Sequence, residues 1–207
     1  MKVSGALALL FGLATVSACS SVPPPTLYVL EAPVASSLEK TAPTASALEK
    51  AAPAGSRQRL AVALGPVTVP DYLDRTDIMR RSSDNRLEFG ADERWAEPLR
   101  SGLQRLLVAV LADRLGPGYW VTGGSGRSGQ IDVEVPVDID TFEKDAAGRV
   151  VLTATWEVRA DGRVVRERTG YRRTVTSSGV EDQVRALSAD AADLAADLAA
   201  AIKAQRP

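Results

Sequence analysis

The sequence predicts an α+β fold: a single domain in which a mixed, largely antiparallel sheet packs against two main helices. Short runs rich in β-branched and aromatic residues, bounded by turn residues, recur through the chain. Two longer segments instead repeat their apolar residues with the helical period of 3.6. Strand runs combined with two long helices are typical of a layered α+β domain. The length of 207 residues fits one such domain behind a short tether.

Eight strand runs are predicted. Gly65-Pro66 interrupts the second, and polar residues at 82–85 join the third and fourth as a hairpin. Asp161-Gly162 joins the last two, because this pair favours a two-residue hairpin turn. The runs span residues 26–30, 60–69, 78–81, 86–89, 119–122, 131–142, 150–158 and 164–175.

Two helices are predicted, at 95–115 and 180–203. Trp95 is expected to open the first as a packing anchor, with Pro98 in the first turn, where proline is tolerated. The second has one narrow apolar stripe, which suits packing against a sheet or a partner helix. Its other side is expected to face solvent or to dock a basic partner, and carries Ala186, Asp190, Asp193 and Asp197.

The N-terminus predicts export and lipidation. Residues 1–18 combine Lys2 with a short apolar run, which fits a signal peptide and is too short for a transmembrane helix. The small residues before Cys19, the only cysteine, have lipobox spacing. We expect cleavage before Cys19 and a covalent lipid on its thiol. In the sorting rule for Gram-negative lipoproteins, Ser20 in place of aspartate points to the outer membrane, with the body in the periplasm.

A Pro/Ala repeat divides the mature chain. Residues 32–41 and 42–51 are two copies of a ten-residue unit, each with proline at its second position. Recurring proline blocks a continuous helix. We predict a lipidated tether at 19–25 and a domain at 26–204, with the repeat as a disordered insertion at about 31–58.

The composition argues against an enzyme. The chain has no histidine, which excludes Ser-His-Asp and Cys-His machinery and the commonest zinc ligand. The net charge of −1 gives no nucleic-acid footprint. The glycine-rich residues 123–129 precede a strand rather than a helix, so we interpret them as a flexible loop. No metal and no cofactor beyond the lipid on Cys19 are expected.

One strand nevertheless carries a row of carboxylates. Spacing of two along a strand puts them on one face, roughly 7 Å apart. They could pair with arginines of a neighbouring strand, form a solvated or partner-binding face, hold Ca²⁺, or serve a hydrolase. The row is Asp132, Glu134, Asp138 and Asp140, and the arginines are Arg166, Arg168 and Arg172.

Three stretches resemble the PqiC family of ABC-type transport auxiliary lipoproteins. The first is Gly65-Pro66-Val67 followed by residues 69–75, Ile78 and Arg80-Arg81, similar to that family's GPV, PxYLDR and I-x-R pattern. The second, at 94–99, resembles its RWaEPL helix opening. The third, at 27–30, resembles its YYxL strand, with leucine where an aromatic residue is common.

The resemblance implies a non-enzymatic subunit of an intermembrane lipid transport system. Such a lipoprotein docks a periplasmic MCE-domain protein of PqiB type, with its inner-membrane components, to the outer membrane and supports membrane integrity. A homo-oligomeric ring would suit a tube end with rotational symmetry. The alternatives are a periplasmic lipoprotein that carries phospholipid itself, and a carboxylate-dependent hydrolase.

The segment that carries the resemblance is also the expected contact surface. It mixes a large aromatic residue with arginines, the residue types enriched at binding hot spots. The alternative is a loop packed on its own domain. The candidate contacts are Tyr72, Leu73, Arg75, Arg80 and Arg81.

Overall fold

The computed structural model describes residues 24–32, 59–124, 131–176 and 179–205. Eight strands of one sheet and two helices lie in them, which confirms the predicted α+β class. The strands are β1 (Thr26–Tyr28), β2 (Leu60–Thr68), β3 (Asp77–Ser83), β4 (Arg86–Trp95), β5 (Tyr119–Gly123), β6 (Val133–Lys144), β7 (Arg149–Ala160) and β8 (Arg163–Thr174). The helices are α1 (Leu99–Leu115) and α2 (Val180–Ala204). The repeat and most of the glycine-rich loop lie outside the described residues.

Strand β6 is the centre of the sheet. On one side it pairs antiparallel with β7, which pairs antiparallel with β8. On the other side, its first half pairs parallel with β2, and β2 pairs parallel with β5. Its last residue, Lys144, meets Arg80 of β3, from which β4 and then β1 continue. The sheet is open, and β1, β5 and β8 lie at its edges.

Strand β2 is continuous through Gly65-Pro66, where an interruption is predicted. The irregularity is a shift in its register with β6 between Leu64 and Val67. A Cβ atom at Gly65 would lie 3.1 Å from the Cα atom of Pro136. Glycine is therefore needed because the backbone of β6 approaches closely.

Helix α1 begins later than predicted. Trp95 is the last residue of β4, and its N–H donates to the carbonyl oxygen of Thr76 at 2.7 Å. Pro98 is the N-cap residue rather than part of the first turn. Pro98 disfavours helical geometry in Glu97 before it and is itself extended, with ψ of 133°, so the helix starts only at Leu99. Trp95 still serves as a packing anchor, since its ring is buried 6.5 Å from that of Phe142.

Both helices cover the same face of the sheet. Every second residue of β6 and β7 points toward them, as the alternating burial of the two strands shows. This apolar layer forms the core with leucines of α1 and α2. The fully buried members include Val135, Val137, Leu152, Ala154, Leu103, Leu107, Leu111, Leu194 and Leu198.

The β7–β8 hairpin is confirmed at Asp161-Gly162. Both residues have positive φ, 48° and 74°. Two consecutive residues of this kind fit the type I′ turn, which matches the twist of the paired strands. Ala160 consequently pairs with Arg163, and β8 runs back along the whole of β7 as an edge strand.

Candidate docking surfaces

The predicted contact segment is divided between core and surface. Leu73 is buried in the hydrophobic core, and Tyr72 is half-buried against it. Arg75 and Arg80 are exposed and make ion pairs of 3.5 Å with Asp77 and 3.9 Å with Glu88. Of the five residues, Arg75 and Arg80 are exposed, Tyr72 and Arg81 are half-buried, and Leu73 is buried.

Arg81 belongs to a small internal cluster with Tyr72 and Glu143. The Arg81 Nε atom lies 2.5 Å from Oε1 of Glu143, whose side chain is buried. Burial and the nearby Glu143 carboxylate raise the pKa of the Tyr72 hydroxyl. The hydrogen bond to Glu143 raises the pKa of the Arg81 guanidinium. The cluster therefore fixes the 70–76 connector onto the end of β6.

The predicted carboxylate row lies along β6 and the residue before it, and each carboxylate has its own partner. Asp132 Oδ2 accepts from the Ala61 N–H at 2.7 Å, and Asp138 accepts from the Thr68 hydroxyl. Glu134 Oε2 lies 3.4 Å from Arg159 Nη1. Asp140 pairs with Arg168 at 3.1 Å.

Two members of the row, Glu134 and Asp140, thus belong to ion pairs on the face without helices, and of the three named arginines only Arg168 pairs with the row. Arg166 pairs instead with Glu157 at 3.4 Å. Among the described residues, no group of three or more His, Cys, Asp or Glu side chains could hold a metal ion.

The acidic side of α2 packs against β8, and its predicted solvent exposure is wrong for Ala186 and Asp190. Asp190 is only 1% exposed, and its Oδ1 atom accepts from Arg173 Nε at 3.0 Å. Arg173 Nη2 also donates to Asp193 Oδ2 at 2.7 Å. Burial raises the pKa of the Asp190 carboxyl, although Arg173 opposes the shift. This side of α2 therefore binds a basic residue of the protein itself, Arg173 of β8.

The exposed large apolar side chains form two groups. The first group, Leu27, Val29 and Phe89, belongs to β1, the residue after it, and β4. We call it the anchor edge, since the chain enters β1 from the direction of Cys19. The second group is Trp120, Ile131, Val164 and Val165. We call it the turn end, since β2, β5 and β6 begin there and β7 turns into β8.

The turn end combines apolar and charged groups. Trp120 is 69% exposed on edge strand β5, and Val164 is 59% exposed on edge strand β8. Beside Val164 lies an open depression of about 550 Å³, lined by Ile131, Val164 and the ion-paired Glu134 and Arg159. Exposed apolar side chains gathered at one end of a domain and bordered by polar residues are typical of protein contact sites.

Sequence patterns did not indicate the turn end. Val164 and Val165 point to opposite faces of edge strand β8, and both are exposed. Trp120 likewise projects from an edge. The arginine-rich sequence of β8, with five arginines in twelve residues, was the available signal, because charged residues are common on edge strands.

One further open groove, of about 520 Å³, separates the segment after β1 from the first half of α2. Val29, Ala32 and Val184 line it together with the charged residues Glu31 and Arg185.

Among the described residues, no helix is long and apolar enough to cross a membrane.

Comparison with known proteins identifies the class. Residues 43–199 match the family described as the ABC-type transport auxiliary lipoprotein component, and the chain belongs to this family. The predicted membership of the PqiC family is confirmed. The chain is therefore a lipoprotein with an auxiliary role in transport.

Named relatives and solved structures agree. The chain is 29% identical over 137 residues to the intermembrane transport lipoprotein PqiC of Escherichia coli K12, covering 66% of this chain and 72% of that protein. PqiC of Shigella flexneri gives the same values. The crystal structure of an uncharacterized protein superposes with a TM-score of 0.68 at 22% identity, over 87% of this chain and 99% of its own. A Xanthomonas campestris protein gives 0.58 at 16%, over 85% and 90%. These two structures support the fold.

Proposed function

We propose that this protein is a non-enzymatic outer-membrane subunit of an MCE-type intermembrane lipid transport system. It docks the periplasmic MCE component, of PqiB type, to the outer membrane and so supports membrane integrity. The observation that carries the proposal is the family match. The first strand of the folded body begins seven residues after the lipobox cysteine. One part of the chain is thereby held in lipid while the body remains available to bind a partner.

The anchor is the lipidated Cys19. Removal of residues 1–18 leaves this cysteine as the first residue, and Ser20 directs the protein to the outer membrane. Stable anchoring needs more than one acyl chain, which a triacylated cysteine supplies. Labelled palmitate should enter the wild type and not Cys19→Ala. Equal incorporation into both would contradict the anchor.

The turn end is the better candidate for the partner contact. It holds four exposed apolar side chains and lies at the opposite end of β6 from Lys144, where β3, β4 and β1 join the sheet. A body anchored through β1 therefore presents the turn end away from the anchor. Arg75 and Arg80 form a second candidate surface, on the β3 side. Several copies arranged as a ring would match a tubular partner with rotational symmetry.

Capture of the MCE protein tests the proposal. The full-length lipidated protein, purified from detergent-solubilised membranes, should retain the MCE protein encoded by the neighbouring gene. Cys19→Ala serves as the matched control, because it should bind that partner in solution yet fail to bring it to the membrane fraction. Failure of the correctly lipidated protein to retain the MCE protein would contradict the docking role.

A second candidate function is lipid carriage by the protein itself. The groove between the segment after β1 and α2 favours it, because its volume of about 520 Å³ lies within the range of small-ligand sites. Mass spectrometry of the purified protein under native conditions should then show a bound phospholipid that is lost in a Val184→Glu variant. A protein free of lipid would leave docking as the function.

A further inference from the structure

The anchor edge exposes apolar side chains at the border of the sheet. Leu27 is 60% exposed and Phe89 is 54% exposed, and Val29 is also exposed. Strand β1 covers only the last three residues of β4. The stretch of β4 around Phe89 therefore has no outer neighbour among the described strands. These side chains border water on a part of the sheet that the fold leaves uncovered.

The length of chain before β1 limits which side of the body can face the membrane. Cys19 and Thr26 are seven residues apart. Fully extended chain spans at most ~3.6 Å per residue, so their Cα atoms lie within about 25 Å of each other. The sheet from β1 to β8 is about 24 Å wide, from five strand spacings of ~4.8 Å. A tether of about the width of the sheet keeps the start of β1 near the bilayer and leaves little chain for an orientation with the β8 edge against it.

Two arginines near this edge are paired, and the exposed Asp92 lies on β4 between Phe89 and the β1 contact. Arg94, which is level with Leu27 in the β1–β4 register, lies 3.2 Å from Asp77. Arg86 lies 3.1 Å from Glu88. Paired charges flanking exposed apolar groups suit the interfacial zone of a phospholipid layer better than a strongly charged macromolecule. The transfer of apolar side chains from water into that zone is favourable.

We infer that the anchor edge, through Leu27, Val29 and Phe89, rests in the interfacial region of the phospholipid leaflet that holds Cys19. This inference rests on the proposed lipid anchor. It makes the domain an oriented body, with β1 and β4 in contact with lipid and the turn end directed into the periplasm, rather than a freely rotating one.

Spin labelling tests the contact, because the chain has one cysteine and acylation blocks its thiol. Leu27→Cys, Phe89→Cys and the control Val164→Cys each supply one site for a nitroxide, and all three positions are exposed. The full-length lipidated variants are reconstituted into vesicles of phosphatidylethanolamine and phosphatidylglycerol. Collisions of the nitroxide with oxygen, which partitions into lipid, are compared with collisions with a water-soluble nickel chelate.

On vesicles, labels at 27 and 89 should lose nickel collisions several-fold and gain oxygen collisions, while the label at 164 stays accessible to nickel. Vesicle flotation separates the two ways of failing. Protein that floats while all three labels stay equally accessible to nickel overturns this inference and leaves the anchor intact. Protein that floats no better than Cys19→Ala overturns the anchor and this inference together.

Discussion

The two faces of the sheet are built from the same strands but are stabilised by different interactions. On the helix-covered face, β6 and β7 contribute buried valine, leucine and alanine side chains to the core with α1 and α2. On the open face, the same strands contribute Glu134, Asp140 and Glu157, which pair with arginines of β7 and β8. Successive residues of a strand point to opposite faces of the sheet. The apolar side chains that stabilise the fold therefore lie on one face, and the charged side chains that a partner could contact lie on the other.

Burial decides how much each face contributes to stability. Each Å² of apolar surface that folding removes from water stabilises the folded state by roughly 25 cal/mol. Exposed ion pairs contribute little, typically up to about 1 kcal/mol, because water and salt screen them. Substitutions on the open face should therefore change binding far more than stability, and those on the helix-covered face the reverse.

The largest expected effect is loss of a core leucine. Leu194→Ala should lower the free energy of unfolding by about 2–5 kcal/mol, because it removes buried contacts between α2 and the sheet. Val164→Ala, on the exposed edge, should stay within about 0.5 kcal/mol. Urea unfolding followed by circular dichroism measures both. Comparable losses in the two variants would contradict the division between the faces.

The next effect concerns the α2–β8 contact, where a charge is buried in the helix layer. Arg173→Gln should cost about 3 kcal/mol, because it leaves the Asp190 carboxylate buried without its cation. Adding Asp190→Asn should restore most of the loss, since no buried charge then remains. Additive losses in the double variant would show that Arg173 acts through packing instead.

The same carboxyl predicts a pH dependence. Its pKa is raised in the folded protein above the ordinary value of 3.8, so above that value the folded state binds more protons than the unfolded state. The contribution of Asp190 to the free energy of unfolding is therefore largest at low pH and falls as pH rises above 3.8. Compared with wild type, Asp190→Asn should become relatively more stable as pH increases. A pH-independent difference in urea midpoints would contradict the shift.

The smallest effect belongs to the open face. Arg168→Gln breaks the pair with Asp140 and should change stability by less than about 1 kcal/mol, because both side chains are exposed. The difference from wild type should shrink further in high salt. Thermal unfolding at low and high ionic strength measures it, and a loss as large as that of Leu194→Ala would remove the contrast between the faces.

The sequence predicted those features that depend on local chemistry. Asp161-Gly162 specified the hairpin turn, and the 3.6-residue period specified both helices, so these were confirmed. The start of α1 was missed by four residues, because Trp95 fits a helix by composition and only Pro98 opposes it. That misplacement also hid the extension of β4 to Trp95, against which β1 pairs.

Features that depend on which strands lie together were not predictable from one sequence. Asp190 looks like any solvated acidic residue of a helix until β8 places Arg173 beside it. Leu73 and Arg81 likewise stand in a promising contact segment, yet one is core and the other binds the buried Glu143. The exposure of Trp120 and Val164 follows from edge positions, which only the strand order defines.

The most direct measurement is the affinity of the purified MCE protein for two matched double variants. Trp120→Ser with Val164→Ser alters the turn end, and Arg75→Ser with Arg80→Ser alters the other exposed surface. Each pair consists of exposed residues, so both variants should unfold at nearly the wild-type urea concentration. We predict that the turn-end variant weakens binding at least about tenfold, equivalent to ~1.4 kcal/mol, while the arginine variant binds as wild type does. Unchanged affinity in the turn-end variant would contradict the account.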